Sequence, residues 1–203
     1  MNPLNSIIGT IALGFIAAIL AIFALDIPSM YVATSGYGSF SFLITVWLHV
    51  LAGIIWIGLL YYFNFVQVPA MGAALADSDG PGPAAIGKYV APRALLWFRM
   101  AAATTWLVGV SLLAQANGAG FQGIMDAFLF APGSQVIGLG AWLGTIMLFN
   151  VWVLIWPNQR KILGMVPATA EEITKAKFVA AMASRTNVVL SAPMLLTMFA
   201  AHV

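Results

Sequence analysis

Five apolar stretches, at about residues 5–25, 41–66, 94–115, 135–157 and 178–201, take up most of the chain and decide what it can fold into. A helix needs roughly 20 apolar residues to cross the hydrocarbon core of a bilayer, and each stretch supplies them. Only 7% of the 203 residues are charged, against about a quarter in a soluble domain. The mean hydropathy of +0.98 points the same way. The expected fold is an all-α integral membrane protein, a bundle of five transmembrane helices forming a single domain over 1–203. The first stretch, SIIGTIALGFIAAILAIFAL, has no Lys or Arg ahead of it and is too long for a signal-peptide core, so it counts as a span.

Charge then sets the topology. Lys88 and Arg93 lie between the second and third stretches, and Arg160, Lys161, Lys175 and Lys177 between the fourth and fifth. Arg99 and Arg185 fall within spans, whereas 26–40 and 116–134 contain no basic residue. By the positive-inside rule the N-terminus and the two basic loops are cytoplasmic and the C-terminus is periplasmic, in a bacterial inner membrane. A net charge of +2 would suggest nucleic acid for a soluble protein; here it reports orientation, and the surrounding partner is membrane lipid. There is no cysteine, which excludes disulfides, thiolate metal sites, iron–sulfur clusters and covalent c-type haem. A transporter fits poorly, because the spans hold no carboxylate and show no repeat.

The connections carry local signals. ADSDGPGPAAIGKYVAPR reads as an irregular loop, and QANGAGFQGIMDAFLFAPGS as a half-helix at the outer interface. In PATAEEITKAK, Thr169 stands three residues before Glu172, a capping-box spacing that marks a helix start ahead of the bilayer.

Against this background the ionisable groups stand out. His49 in WLHVLAGIIWIGLLYYFNF lies on the order of 12 Å below the outer surface, and His202 closes the last span at the same side. An ionisable group inside a membrane is functional by default, and neutral imidazole is a good haem-iron ligand; a satisfied core histidine is the plainer reading. Gly53, one turn from His49, and Gly58 leave a helix surface flat enough for a macrocycle, or for ordinary close helix packing. Arg99 and Arg185 form a second polar level with Asn64, Asn150 and Asn187 in the cytoplasmic half. Arg99 is near enough to the interface to snorkel. Arg185 is deeper and serves either as a structural group bonded to carbonyls and Asn150 or as a contact for an anion or a haem propionate.

The blocks WLHVLAGIIWIGLLYYF, KYVAPRALLWFRMAAATTWLVG, GTIMLFNVWVLIWPNQRK and SRTNVVLSAPMLLTMFAAH resemble, in order, the signatures of the membrane domain of the PuuD family. Its members are described as urate hydroxylases or dehydrogenases that usually carry a C-terminal cytochrome c domain. The WLH-x(6)-WIG pattern also resembles haem-binding membrane proteins of the HemJ and CopD kind. The resemblance implies that His49 matches the family's second-helix histidine, Arg99 the basic residue of its WF[KR] motif, and Asn150 the Asn of its GTIM motif. Asn158 and Gln159 match its PNQ turn, Asn187 the Asn of a His-Asn pair, and His202 the terminal-helix histidine. The sequence departs from the family at Thr186, where the pattern has His, and it contains no CxxCH.

The expected function is that of a membrane redox protein, an oxidoreductase related to the urate-oxidising domain, with haem b in the periplasmic half. His49, His202 and Gly53 are the expected haem-binding residues, the two histidines as ligands to the iron. A purine-like anion would lie among Arg99, Arg185, Asn150 and Asn187, and electrons would leave to a separate c-type cytochrome. Guanidinium and amide groups suit a planar anion because both offer paired donors in a fixed plane. No catalytic residue follows from the sequence. For both histidines to hold one iron their ring nitrogens must lie within about 4 Å across it, roughly twice a metal–nitrogen bond. The estimated depths differ by about 10 Å, so a single-histidine site is an alternative. The alternative function is an accessory or electron-relay subunit of a larger respiratory or photosynthetic complex, which the Thr186 departure favours.

Overall fold

The computed structural model describes residues 6–25 and 39–200, which form six helices. They are α1 (Ile7–Ala24), α2 (Phe40–Ala76), α3 (Ile86–Gln115), α4 (Phe121–Phe128), α5 (Gln135–Ile162) and α6 (Ala170–Ala200). No strand occurs among the described residues. The chain forms two compact units, Met1–Thr45 with α1 and the start of α2, and Val46–Val203 with the remainder. In the first unit, α1 begins at Ser6, whose hydroxyl accepts the Gly9 N–H at 2.9 Å.

Helices α2, α3, α5 and α6 are long and apolar enough to cross a membrane. Four of the five expected spans therefore meet that requirement, while the apolar run Ala12–Ala24 of α1 is shorter. The observed helices also outrun the expected ones: α2 continues to Ala76, α3 begins at Ile86, α5 reaches Ile162 and α6 starts at Ala170. At 1.5 Å per residue the 37 residues of α2 extend about 55 Å, well beyond a hydrocarbon core of about 30 Å.

This excess length lies at the end bearing Lys88, Arg93, Arg160 and Lys161, and three helices there share one device. Residues 62–67, 86–90 and 150–155 are π-helical, shown by N–H groups that reach five residues back: Val68 to Phe63, Ala91 to Ile86 and Trp156 to Val151. Each π segment is followed at its second residue by a proline, Pro69, Pro92 or Pro157. Proline lacks an N–H and its ring collides with the carbonyl four residues earlier, so an ordinary α turn would break. The wider π turn moves that carbonyl aside and lets the helix continue.

The core of the second unit gathers Trp56, Leu60 and Phe63 of α2, Leu95, Phe98 and Ala102 of α3, Met147 and Val151 of α5, and Ala183 and Met194 of α6. Phe63 meets Phe98 edge-on at 5.5 Å. At the opposite end from the basic residues, the segment expected as a half-helix forms the short helix α4. Small residues clamp it. A Cβ at Gly123 would collide with the Leu113 carbonyl of α3, and one at Gly138 of α5 with the Ala127 carbonyl of α4. The start of α6 is a reciprocal capping box: Glu172 N–H donates to Thr169 Oγ1 at 3.2 Å, and Thr169 N–H to Glu172 Oε2 at 2.9 Å. Lys161 Nζ adds an ion pair to Glu172 at 3.3 Å.

Candidate functional site

His49 is half-buried on the inner side of α2 and meets α3. Its Nδ1 lies 2.9 Å from the carbonyl oxygen of Thr105. A carbonyl only accepts, so in the neutral ring Nδ1 carries the hydrogen and Nε2 carries the lone pair. That is the tautomer of a metal-ligating histidine, whose second nitrogen is usually held by a carbonyl or carboxylate. The ring lies against Gly109, one turn beyond Thr105: a Cβ at Gly109 would stand 2.9 Å from Cε1 and 3.2 Å from Nδ1. Gly109 is therefore the glycine this site requires. Gly53 faces Thr105 Cγ2 with 3.8 Å available to a Cβ, an ordinary contact. His202 lies outside the described residues. Among the described residues no group of three or more His, Cys, Asp or Glu side chains gathers as a metal site. What fits a haem here is the chemistry of one neutral imidazole donor with its tautomer fixed.

Two turns along the same face, Trp56 is 2% exposed and its indole N–H has no acceptor among the described residues. Thr105 turns its hydroxyl back to the Ala101 carbonyl at 2.8 Å, so its own carbonyl is what it offers His49. Trp106 ties α3 to α5 by donating to Thr145 Oγ1 at 2.8 Å.

The second polar level divides into separate arrangements. Asn150 Nδ2 donates to Asn187 Oδ1 at 2.8 Å, and Asn187 Nδ2 donates to the Met147 carbonyl at 3.0 Å. Asn187 is 0% exposed, so this chain of bonds is a dry link between α5 and α6. Nearby, Tyr61 and Ser191 share a hydrogen bond of 2.9 Å, and Asn64 donates to Leu60 O and Ser184 Oγ, both at 2.8 Å. These links stand beside the π turns, where side-chain amides supplement a disturbed ladder of carbonyls.

Arg185 is exposed. It precedes Asn187 by two residues, which places the two about 200° apart around α6, so they do not face one cavity. Arg99 is half-buried and lies flat on Trp156, its Cζ 3.7 Å from the ring centroid. Asn158, expected in a turn, lies instead within α5, where it donates to the Leu154 carbonyl at 2.7 Å. The structure thus joins Asn150 to Asn187 and leaves Arg99 and Arg185 in places of their own. An open groove of about 200 Å³ between α2 and α3, lined by Leu48, Ala52, Ile55, Trp97, Ala101 and Thr104 among others, holds no ionisable group and offers an anion no partner.

Sequence reasoning missed Thr105, Gly109 and Trp156. Gly109 and Thr105 stand one turn apart, and that spacing on one face of α3 was the available signal for a surface receiving a side chain from another helix.

Fold and site together define an all-helical protein with four helices suited to crossing a membrane and a histidine fixed between two of them. Residues 117–203, somewhat under half of the chain, match the family model described as Urate oxidase N-terminal. The matched region runs from the start of α4 to the C-terminus and includes Asn150 and Asn187, with His49 and Arg99 ahead of it. The chain matches no curated protein and no solved structure.

Proposed function

We propose that this protein is a membrane redox protein in which His49 ligates a b-type haem and from which electrons pass to a c-type cytochrome. The observation that carries the reading is the 2.9 Å bond between His49 Nδ1 and the Thr105 carbonyl, which assigns the lone pair to Nε2. Haem would supply a one-electron carrier within the apolar bundle. The chain's own part is to fix the imidazole: Thr105 sets its tautomer, Gly109 leaves room for its ring, and the apolar core keeps water away. In this reading five helices span a bacterial inner membrane, α1 included, with the basic end cytoplasmic, as the distribution of Lys and Arg supports. The site then lies toward the periplasm, where a c-type cytochrome docks. His202, near the end of α6, is the candidate second ligand.

The family description points to urate as the electron donor. The separation of Arg185 from the bonded pair of asparagines favours a second reading, an electron-relay subunit with no substrate of its own. Both readings share the haem, so it is tested first. A reduced-minus-oxidised spectrum of detergent-purified protein, with a pyridine haemochrome assay, is expected to show about one b-type haem per chain. His49→Ala should abolish it; wild-type haem content in that variant, or a folded wild-type protein devoid of haem, refutes the assignment. Oxidation of urate with cytochrome c as acceptor then separates enzyme from relay.

A further inference from the structure

Arg99 has no part in the redox reading, yet its setting is specific. Its guanidinium lies face-on over the Trp156 indole at 3.7 Å, so one flat side is covered and the N–H donors are left around the edge. No hydrogen-bond acceptor or carboxylate among the described residues reaches those donors, and Glu172, at the start of α6, is paired with Lys161. The depth is informative as well. Arg99 stands six residues inside Arg93 on α3, and Trp156 four residues inside Arg160 on α5, about 9 Å and 6 Å along the helices. A rim of cations, Arg93, Arg160 and Lys161, therefore lies just outside the stacked pair. Trp97 stands about 3 Å further out on α3 and Trp152 about 6 Å further in on α5, both exposed, as indoles are near a membrane interface.

A planar cation with unused edge donors, set one to two turns inside a basic rim and beside exposed indoles, calls for an anion whose head reaches that depth while its tail stays in the bilayer. We propose that Arg99, held flat by Trp156, binds the phosphodiester of an acidic phospholipid between α3 and α5. The two oxygens of a phosphodiester match the paired N–H groups along one guanidinium edge. Trp156 fixes the plane of the guanidinium, so that lysine is no substitute.

The test measures thermal unfolding by tryptophan fluorescence in neutral detergent, with added phosphatidylglycerol, phosphatidylcholine, inorganic phosphate or urate. Phosphatidylglycerol is expected to raise the wild-type Tm several degrees more than phosphatidylcholine does. Arg99→Gln and Arg99→Lys should lose most of that difference. Arg93→Gln should keep it, since Arg93 lies further out and donates to the Tyr89 carbonyl at 2.6 Å. Should the Arg99 variants not fold, Trp156→Phe, with retained lipid counted by native mass spectrometry, asks the same question, and phosphatidylglycerol retention equal to wild type overturns the proposal. So does an undiminished Tm difference in Arg99→Gln. A full shift from inorganic phosphate alone makes the source a free anion rather than a lipid and overturns it too. An Arg99-dependent shift with urate but none with phosphatidylglycerol reassigns the site to substrate.

Discussion

Replacing Asn187 by alanine tests the dry link between α5 and α6. The variant loses the bond from Asn150 Nδ2 at 2.8 Å and the bond to the Met147 carbonyl at 3.0 Å. Side-chain hydrogen bonds within membrane proteins contribute about 0.6 kcal/mol on average and up to about 1.7. Two of them give about 1–3 kcal/mol. Because Asn187 is fully buried, truncation also leaves a void, adding about 1 kcal/mol of lost contact. The expected cost is therefore about 2–4 kcal/mol, measured by titrating folded protein with SDS in mixed micelles and following tryptophan fluorescence. A double-mutant cycle with Asn150→Ala should return a coupling of about 0.5–1.5 kcal/mol. A cost below about 0.5 kcal/mol with zero coupling would falsify the link, and would mean that the asparagines reach other partners, such as an anion, in the membrane.

Two further substitutions probe opposite ends of the second unit. Gln67 is 7% exposed and its Oε1 has no donor among the described residues, so Gln67→Met, of similar shape, should be neutral or stabilising by about 1 kcal/mol in the same SDS titration; a loss of 1 kcal/mol would mean the amide has a donor. Gly109→Ala should cost about 1–3 kcal/mol by crowding the His49 ring, and should lower haem occupancy or shift the reduced spectrum. Unchanged stability together with an unchanged spectrum would remove Gly109 from the site.

Some of this architecture was legible in the sequence and some was not, for physical reasons. Apolar length disclosed the four long helices, because the bilayer imposes that length on whatever crosses it. The capping box at Thr169 and Glu172 was legible because it is a local contact at fixed spacing. The helix ends were not: Pro69 and Gly72 in VPAMGAALA disfavour a helix interior, and the π turn that lets α2 run on to Ala76 has no mark in the sequence. Among the site residues, His49 was conspicuous as an ionisable group in an apolar run. Its acceptor is a backbone carbonyl, which has no identity in a sequence, so Thr105 was silent. One of the two readings of Arg185 bonded it to Asn150; Asn187 bonds to Asn150 instead, because phase around the helix outweighs nearness along the chain.

The three π turns bear on how such a chain tolerates changes of length. Each accommodates one residue more than an α turn would, directly before a proline. Deleting a single residue from 62–67 would force one of two changes: α geometry is restored and the Pro69 ring presses onto the carbonyl four residues earlier, or the π turn is kept and everything beyond it turns by about 100° relative to Trp56 and Leu60. Helix α2 is thus two rods with independent phases joined by a fixed offset, and α5 repeats the design. Relatives of this protein should vary in loop length freely, and in the length of these proline-bearing helices hardly at all.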